Sequence, residues 1–222
     1  MYILRKKVFG VFILLVLILT ACSDTSEPVT RSAQDDPYLV LVNKTHQLPP
    51  NWEDIMQIDT VQNSFGETIQ IEHKTFENFL DLRDALANEG IQIELDSVYR
   101  SAEDQQELWD YFLEKYGEDY TRQFVAVPGY SEHQTGLAVD IFIVKNGQVI
   151  RENEDMVADK EDFAVIHRYL NDYGFILRYP EGKEATTGYS YEPWHFRYVD
   201  SRDVAKEITE NNLTLEEYLG ET

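Results

Sequence analysis

The chain has 222 residues, with 41 acidic against 19 basic side chains and a formal net charge of −22. So acidic a surface repels phosphate backbones and argues against nucleic acid as a partner. The one cysteine, Cys22, leaves no disulfide to staple a fold, so residues 37–222 must hold together by their core, and they suffice for one compact domain.

The N-terminus reads as an address. Arg5, Lys6 and Lys7 precede an apolar run from Val8 to Leu19, the layout of a secretory signal peptide. At roughly 14 apolar residues it falls short of the roughly 20 that a membrane helix needs. Leu19-Thr20-Ala21-Cys22 resembles a bacterial lipobox, which implies lipidation of Cys22 and anchoring at the extracellular face of the cell membrane. Residues 23–36 are polar, lack aromatics and predict a flexible tether.

Next come Tyr38-Leu39-Val40-Leu41-Val42, a β-branched run predicting a strand, and Leu48-Pro49-Pro50-Asn51-Trp52, an extended lead-in. Thr75 is placed to cap a helix running to about Asn88, with Phe76, Phe79, Leu80, Leu82 and Leu86 near helical spacing. Ile91 to Tyr99 alternates as a strand. Ser101 caps a second helix to about Lys115, with Leu108, Trp109 and Phe112 on its inner side, and residues 117–136 read as loop.

Leu137 to Val144 is strongly β-forming and meets an Asn146-Gly147 hairpin turn into Gln148-Val149-Ile150. A helix follows over Glu161 to Tyr173, stopped by Gly174, then strands at Phe175–Tyr179 and Trp194–Val199. Ser201 and Thr214 look like caps of two short helices. Helices and antiparallel-looking strands mix without a βαβ rhythm, so the expected class is α+β.

Two stretches carry chemistry. Ser131-Glu132-His133-Gln134-Thr135-Gly136-Leu137-Ala138-Val139-Asp140 offers His133 and Asp140; Glu192-Pro193-Trp194-His195 offers His195 and Glu192. Two imidazoles and one carboxylate leave a fourth zinc position open for water, as catalytic sites do. A nearby free carboxylate can take that water's proton. Gly136 and the β-rich run after it argue against a shared helix face and favour a loop-to-strand corner, with Asp140 on the strand. Singly, each of these residues reads as an ordinary polar side chain, and Trp194 as a wall of the site or a plain core aromatic. His46, His73 and His167 lack partner motifs and are expected to be surface or satisfied polar residues.

The combined pattern, Ser-x-His-x-x-Gly-x-Ala-x-Asp followed by Glu-x-Trp-His, resembles the zinc D,D-carboxypeptidases of the VanY type, a family that includes peptidoglycan L,D-carboxypeptidases. Tyr99-Arg100-Ser101 with Gln105 matches the family's substrate-binding stretch. Leu41-Val42-Asn43-Lys44 and Gly174-Phe175-Ile176-Leu177-Arg178-Tyr179-Pro180 extend the likeness. Val98 departs from it, standing where family members often carry glycine.

The resemblance implies a single domain with a small, mainly antiparallel sheet flanked by helices. It implies Zn2+ held by His133, Asp140 and His195, Glu192 as general base, and Arg100 on the substrate anion or the developing oxyanion. Tyr99, Gln105, Ser131 and Trp194 become peptide contacts. The expected substrate is a peptidoglycan stem peptide losing its terminal D-alanine, by a D,D or an L,D cut, and the enzyme is expected to be a monomer. A non-catalytic wall-binding module and a stem-peptide endopeptidase are the rivals.

Overall fold

The computed structural model describes residues 36–221. The signal segment 1–22, its Cys22 and residues 23–35 of the tether lie outside the described residues. Asp36 already belongs to the fold: its carboxylate accepts from the Tyr38 N–H and caps a 3₁₀ turn over Pro37–Leu39.

The strand expected at Tyr38–Val42 is absent. Leu39, Val40, Leu41 and Val42 are buried, as their apolar character demands, but no strand pairs with them. The Arg197 guanidinium instead accepts the role of neighbour, donating to the Tyr38 and Val40 carbonyls at 3.0 and 2.8 Å. After a 3₁₀ turn at Trp52–Asp54, strands β1 (Ile58–Gln62) and β2 (Thr68–Glu72) form a separate antiparallel hairpin that the sequence reading did not contain.

Helix α1 (His73–Asn88) begins two residues before Thr75. Its cap is Glu72, whose carboxylate accepts from the Thr75 N–H at 2.7 Å and the Thr75 hydroxyl at 2.8 Å. Strand β3 (Gln92–Ser97) leads to α2 (Ala102–Tyr116), where Ser101 and Asp104 make a reciprocal capping box. On α2 only Gln105 is fully buried; Leu108, Trp109 and Phe112 are half-buried. The stretch expected as loop holds α3 (Glu118–Phe124) and a 3₁₀ turn at Glu132–Thr135.

Strand β4 (Ala138–Lys145) turns at Asn146-Gly147, both at positive φ, into β5 (Gln148–Ile150). Then come α4 (Asn153–Ala158), α5 (Lys160–Leu170), a 3₁₀ turn at Asn171–Tyr173 and β6 (Phe175–Leu177). A single helical turn, α6 (Glu184–Thr187), precedes β7 (His195–Tyr198). Helices α7 (Arg202–Glu210) and α8 (Leu215–Leu219) close the chain, capped by Ser201 and Thr214 as expected.

The main sheet runs β3-β4-β7-β6, with β5 also on β4, and every pairing is antiparallel. Its faces are sorted by the two-residue period of a strand. Val139, Ile141, Ile143, Phe175 and Phe196 point into the larger core with Phe79, Leu82 and Leu86 of α1 and Phe163, Ile166 and Leu170 of α5. Ile176 points the other way, to a smaller core built with Leu39, Val204, Ile208 and Leu215. Asp140, His195 and Arg197 fall on the strand positions between the core residues, so the fold delivers them together to the face turned from the larger core. The α+β class and the antiparallel sheet with flanking helices agree with the expectation. Among the described residues no helix is long and apolar enough to cross a membrane.

Candidate metal centre

Asp140 of β4 pairs directly with His195 of β7 in the antiparallel register. Directly opposed residues share a face with Cβ atoms about 4.5–5.5 Å apart, so two residues distant in sequence meet by strand pairing alone. His133 arrives from the 3₁₀ turn just before β4. That turn is pinned by the Trp52 indole N–H on the Thr135 carbonyl (3.0 Å) and by the Arg100 N–H on the His133 carbonyl (3.1 Å). It ends on Gly136 at φ +76°, where an added Cβ would lie 2.5 Å from Ile58 Cδ1 and 3.2 Å from the Glu72 backbone nitrogen. Only glycine permits both the left-handed backbone and this approach.

Hydrogen bonds fix which ring nitrogens face inward. His133 Nδ1 lies 2.8 Å from the Val98 carbonyl, which can only accept, so Nδ1 carries the proton and Nε2 offers a lone pair. His195 Nε2 lies 3.4 Å from Glu132 Oε2, which leaves Nδ1 as its free donor atom. His133 Nε2 is 3.2 Å from Asp140 Oδ2, and His195 Nδ1 is 2.8 Å from Asp140 Oδ1. Ligand atoms on a tetrahedral zinc with bonds of about 2.0–2.1 Å sit about 3.3 Å apart; the two separations made by Asp140 are near this, and all three ligand atoms lie within 4.8 Å of one another, so the group suits such an ion.

Two further observations support that fit. Asp140 Oδ1 is buried and makes no hydrogen bond, although His195 Nδ1 lies 2.8 Å away. A buried carboxylate oxygen left without a hydrogen bond is satisfied by a cation. At His195 burial lowers the pKa, but the Asp140 and Glu132 carboxylates outweigh it and hold the ring up at about 10. The field at this spot calls for positive charge.

Glu192 stands beside the triad, Oε2 3.8 Å from His195 Nδ1, on the turn before β7. Burial raises its pKa; Asp140 and Glu132 add to this while His195 and Lys44 oppose it, and the result is about 7. A carboxylate poised near neutrality suits proton transfer in both directions.

All four residues line one cleft of about 250 Å³, together with Arg100, Gln105, Ser131 and Trp194. Arg100 donates to Gln105 Oε1 and Ser97 Oγ, each at 2.8 Å, two neutral partners that aim the guanidinium without cancelling its charge. Gln105 is fully enclosed, its amide nitrogen bonded to the Ala126 carbonyl at 2.8 Å, so it acts on Arg100 more directly than on anything in the cleft. Ser131 and Trp194 are buried in the wall, Trp194 also belonging to the larger core. Tyr99 is placed elsewhere. Its hydroxyl donates to Glu53 at 3.1 Å in a separate groove, because the β3 extension turns it away from the cleft.

Several supporting residues escaped the sequence reading. Glu132 is buried between Arg178 Nε (2.7 Å) and Arg197 Nη1 (2.8 Å), while Arg178 also forks onto Glu216 at 2.6 and 2.9 Å. Two anions balance two cations in a buried layer behind His195, as buried charges require. The available signal was a pair of arginines, Arg178 and Arg197, inside otherwise apolar strand runs. Burial keeps the His167 ring neutral, and its Nε2–H donates to the Pro193 carbonyl at 2.9 Å, bracing the Glu192–His195 turn from below.

Comparison with known proteins decides the family. Residues 68–201 match the family model VanY, D-alanyl-D-alanine carboxypeptidase. The chain belongs to the VanY family. YodJ of Bacillus subtilis is 42% identical over 184 residues, covering 81% of this chain and 66% of YodJ. The chain therefore spans just under two thirds of that curated relative. Among solved structures, the LD-carboxypeptidase LdcB is 38% identical with a TM-score of 0.71, covering 83% of this chain and 86% of LdcB. A VanY D,D-pentapeptidase from a VanB-type resistance cassette, solved in complex with Zn(II), is 35% identical with a TM-score of 0.64, covering 82% of this chain and 98% of the other. This VanY-family chain thus shares its fold with a zinc-bound relative and carries its own His-Asp-His group.

Proposed function

We propose that this protein is a zinc-dependent carboxypeptidase that releases the terminal D-alanine of peptidoglycan stem peptides. The observation that carries the reading is Glu192 standing 3.8 Å from the inward nitrogen of His195, beside a His133–Asp140–His195 group whose ligand atoms all lie within 4.8 Å of one another.

His133 Nε2, His195 Nδ1 and Asp140 would hold the ion. A bound zinc supplies Lewis acidity toward the scissile carbonyl and an acidified water. Glu192 takes the proton of the attacking water and passes it to the leaving amine of D-alanine. Arg100, held by Gln105 and Ser97, offers a fixed charge to the substrate's terminal carboxylate or to the oxygen on which negative charge develops. Glu132 keeps the His195 ring in the tautomer that presents Nδ1. Trp194 and the buried Tyr179, whose ring lies 4.7 Å from that of His195, keep water off one side of the reacting bond.

Likeness to LdcB supports the L,D cut of a tetrapeptide, and likeness to the VanY D,D-pentapeptidase supports the D,D cut of a pentapeptide. The lipobox around Cys22 supports a lipid-anchored enzyme at the outer face of the cell membrane, where such stems occur. Mass spectrometry of both peptides incubated with the protein, with and without chelator, tests the reading. D-alanine release that stops on chelation is expected; intact peptides with zinc-loaded protein would contradict it.

A further inference from the structure

Helices α2 and α3 carry a row of aromatic rings that the chemistry above does not use. Phe112, Tyr116, Tyr120 and Phe124 recur every fourth residue across the Gly117 junction, with successive ring centroids 5.4, 4.7 and 4.5 Å apart. Tyr111 extends the row sideways, 5.5 Å from Phe112. The rings are not core: Tyr111, Tyr116, Tyr120 and Phe124 are 53, 45, 41 and 50% exposed. Apolar groups clustered this densely on a surface mark an interaction site.

Position and charge define the partner. Phe112 and Phe124 also line the catalytic cleft, so the row is a continuation of the cleft wall onto the outer surface. The same helices carry Glu107, Asp110, Glu114, Glu118 and Asp119 against Lys115, which lies over the Tyr111 and Tyr116 rings, and Arg122, which pairs with Glu118; acids outnumber bases here and in the whole chain at −22, which repels anionic lipid surfaces and anionic polymers. A neutral polymer with flat C–H faces and many hydroxyls remains: a chain of N-acetylated pyranose sugars. Aromatic faces, negative at their centres, pack against such C–H faces, and tyrosine hydroxyls can bond the sugar's polar rim.

A stem peptide is joined at its far end to such a chain. We infer that the Phe112–Tyr116–Tyr120–Phe124 row is a docking platform for the glycan strand bearing the stem whose tail occupies the cleft. This rests on the proposed peptidase function, and extends it from the free peptide to the assembled wall.

The test compares full-length protein with Tyr116→Ser/Tyr120→Ser and with Tyr116→Phe/Tyr120→Phe, all checked for the same thermal unfolding. D-alanine release is measured on the free stem peptide and on intact glycan-linked murein. For the serine pair, kcat/KM on murein is expected to fall about tenfold, which corresponds to about 1.4 kcal/mol of lost binding. Turnover of the free peptide should stay within about twofold, and the phenylalanine pair should recover the murein activity, since ring faces supply most of the contact. Equal losses on both substrates, or no loss on murein, overturn the inference. Tyrosine fluorescence titrated with a neutral N-acetylglucosamine tetramer gives a separate readout. Saturable binding by the wild type and its loss in the serine pair are expected, and no binding by the wild type overturns the inference. A wild type that binds the tetramer but cuts neither substrate refutes the peptidase reading and leaves the platform standing. Loss of self-association or of vesicle binding in the serine pair, with tetramer binding unchanged, assigns the row to another partner and overturns it.

Discussion

Asp140 and His195 are cross-strand partners whose ligand atoms, Oδ1 and Nδ1, face each other across 2.8 Å. The antiparallel register of β4 and β7 creates this pair, and the glycine-terminated turn before β4 adds His133. The site is therefore a property of the sheet more than of any loop, and disturbing the sheet's supports should disturb metal binding before it disturbs the fold.

Glu192 lies beside the proposed ligands without belonging to them. Glu192→Gln should retain one zinc per chain by atomic absorption while kcat drops by about 10²–10⁴-fold, the range for loss of a positioned general base. Near-normal turnover in the zinc-loaded variant would remove Glu192 from its role. His195→Ala, in contrast, should lose the metal.

Glu132 is the hub of the buried charge layer. Glu132→Gln leaves Arg178 and Arg197 short of one anion, and such a break costs about 3–5 kcal/mol. It also frees the His195 ring, so zinc affinity measured by chelator competition should weaken by about 10–100-fold. Unchanged affinity would show that Glu132 serves stability alone.

Acid should unfold the protein through the same layer. Burial alone would raise the Glu216 pKa; the Arg178 guanidinium, helped by hydrogen bonds from Arg178 and Asn43, outweighs burial and holds it below the ordinary value. A carboxyl with a lower pKa folded than unfolded stabilises the fold fully above its unfolded value, about 4.3, and that contribution is lost as pH falls through the folded value. Thermal melts should therefore lose Tm below about pH 4.3. Glu216→Gln should lower Tm at neutral pH and flatten the acid limb; an unaltered limb would place the acid sensitivity elsewhere.

Gly136→Ala combines a positive φ with a collision against Ile58 and the Glu72 backbone. Expected are a stability loss of at least about 1 kcal/mol and a weakened zinc site, because the turn carrying His133 must shift. Wild-type zinc affinity in this variant would show that the turn can relax without moving the ligand.

The residues proposed to do chemistry were more legible than the scaffold around them. His133, Asp140, Glu192 and His195 stand in two short motifs, and the structure gathers all four. Glu132 gave no such sign, since one more glutamate among 41 acidic residues is ordinary until two arginines are found against it. Tyr38–Val42 misled because β-branched composition reports burial, and here burial comes with backbone carbonyls served by Arg197 instead of a strand. The β1–β2 hairpin was missed because its exposed face is polar and its pattern weak. Helix α3 was missed because it is only seven residues long and starts on a glycine.

Anomalous diffraction at the zinc absorption edge, on crystals of the zinc-loaded protein, addresses the central claim most directly. The account predicts one strong peak about 2.0–2.2 Å from His133 Nε2, His195 Nδ1 and an Asp140 oxygen, with Glu192 nearby but outside bonding distance. A peak bound by other residues, or none at this cleft, would contradict it.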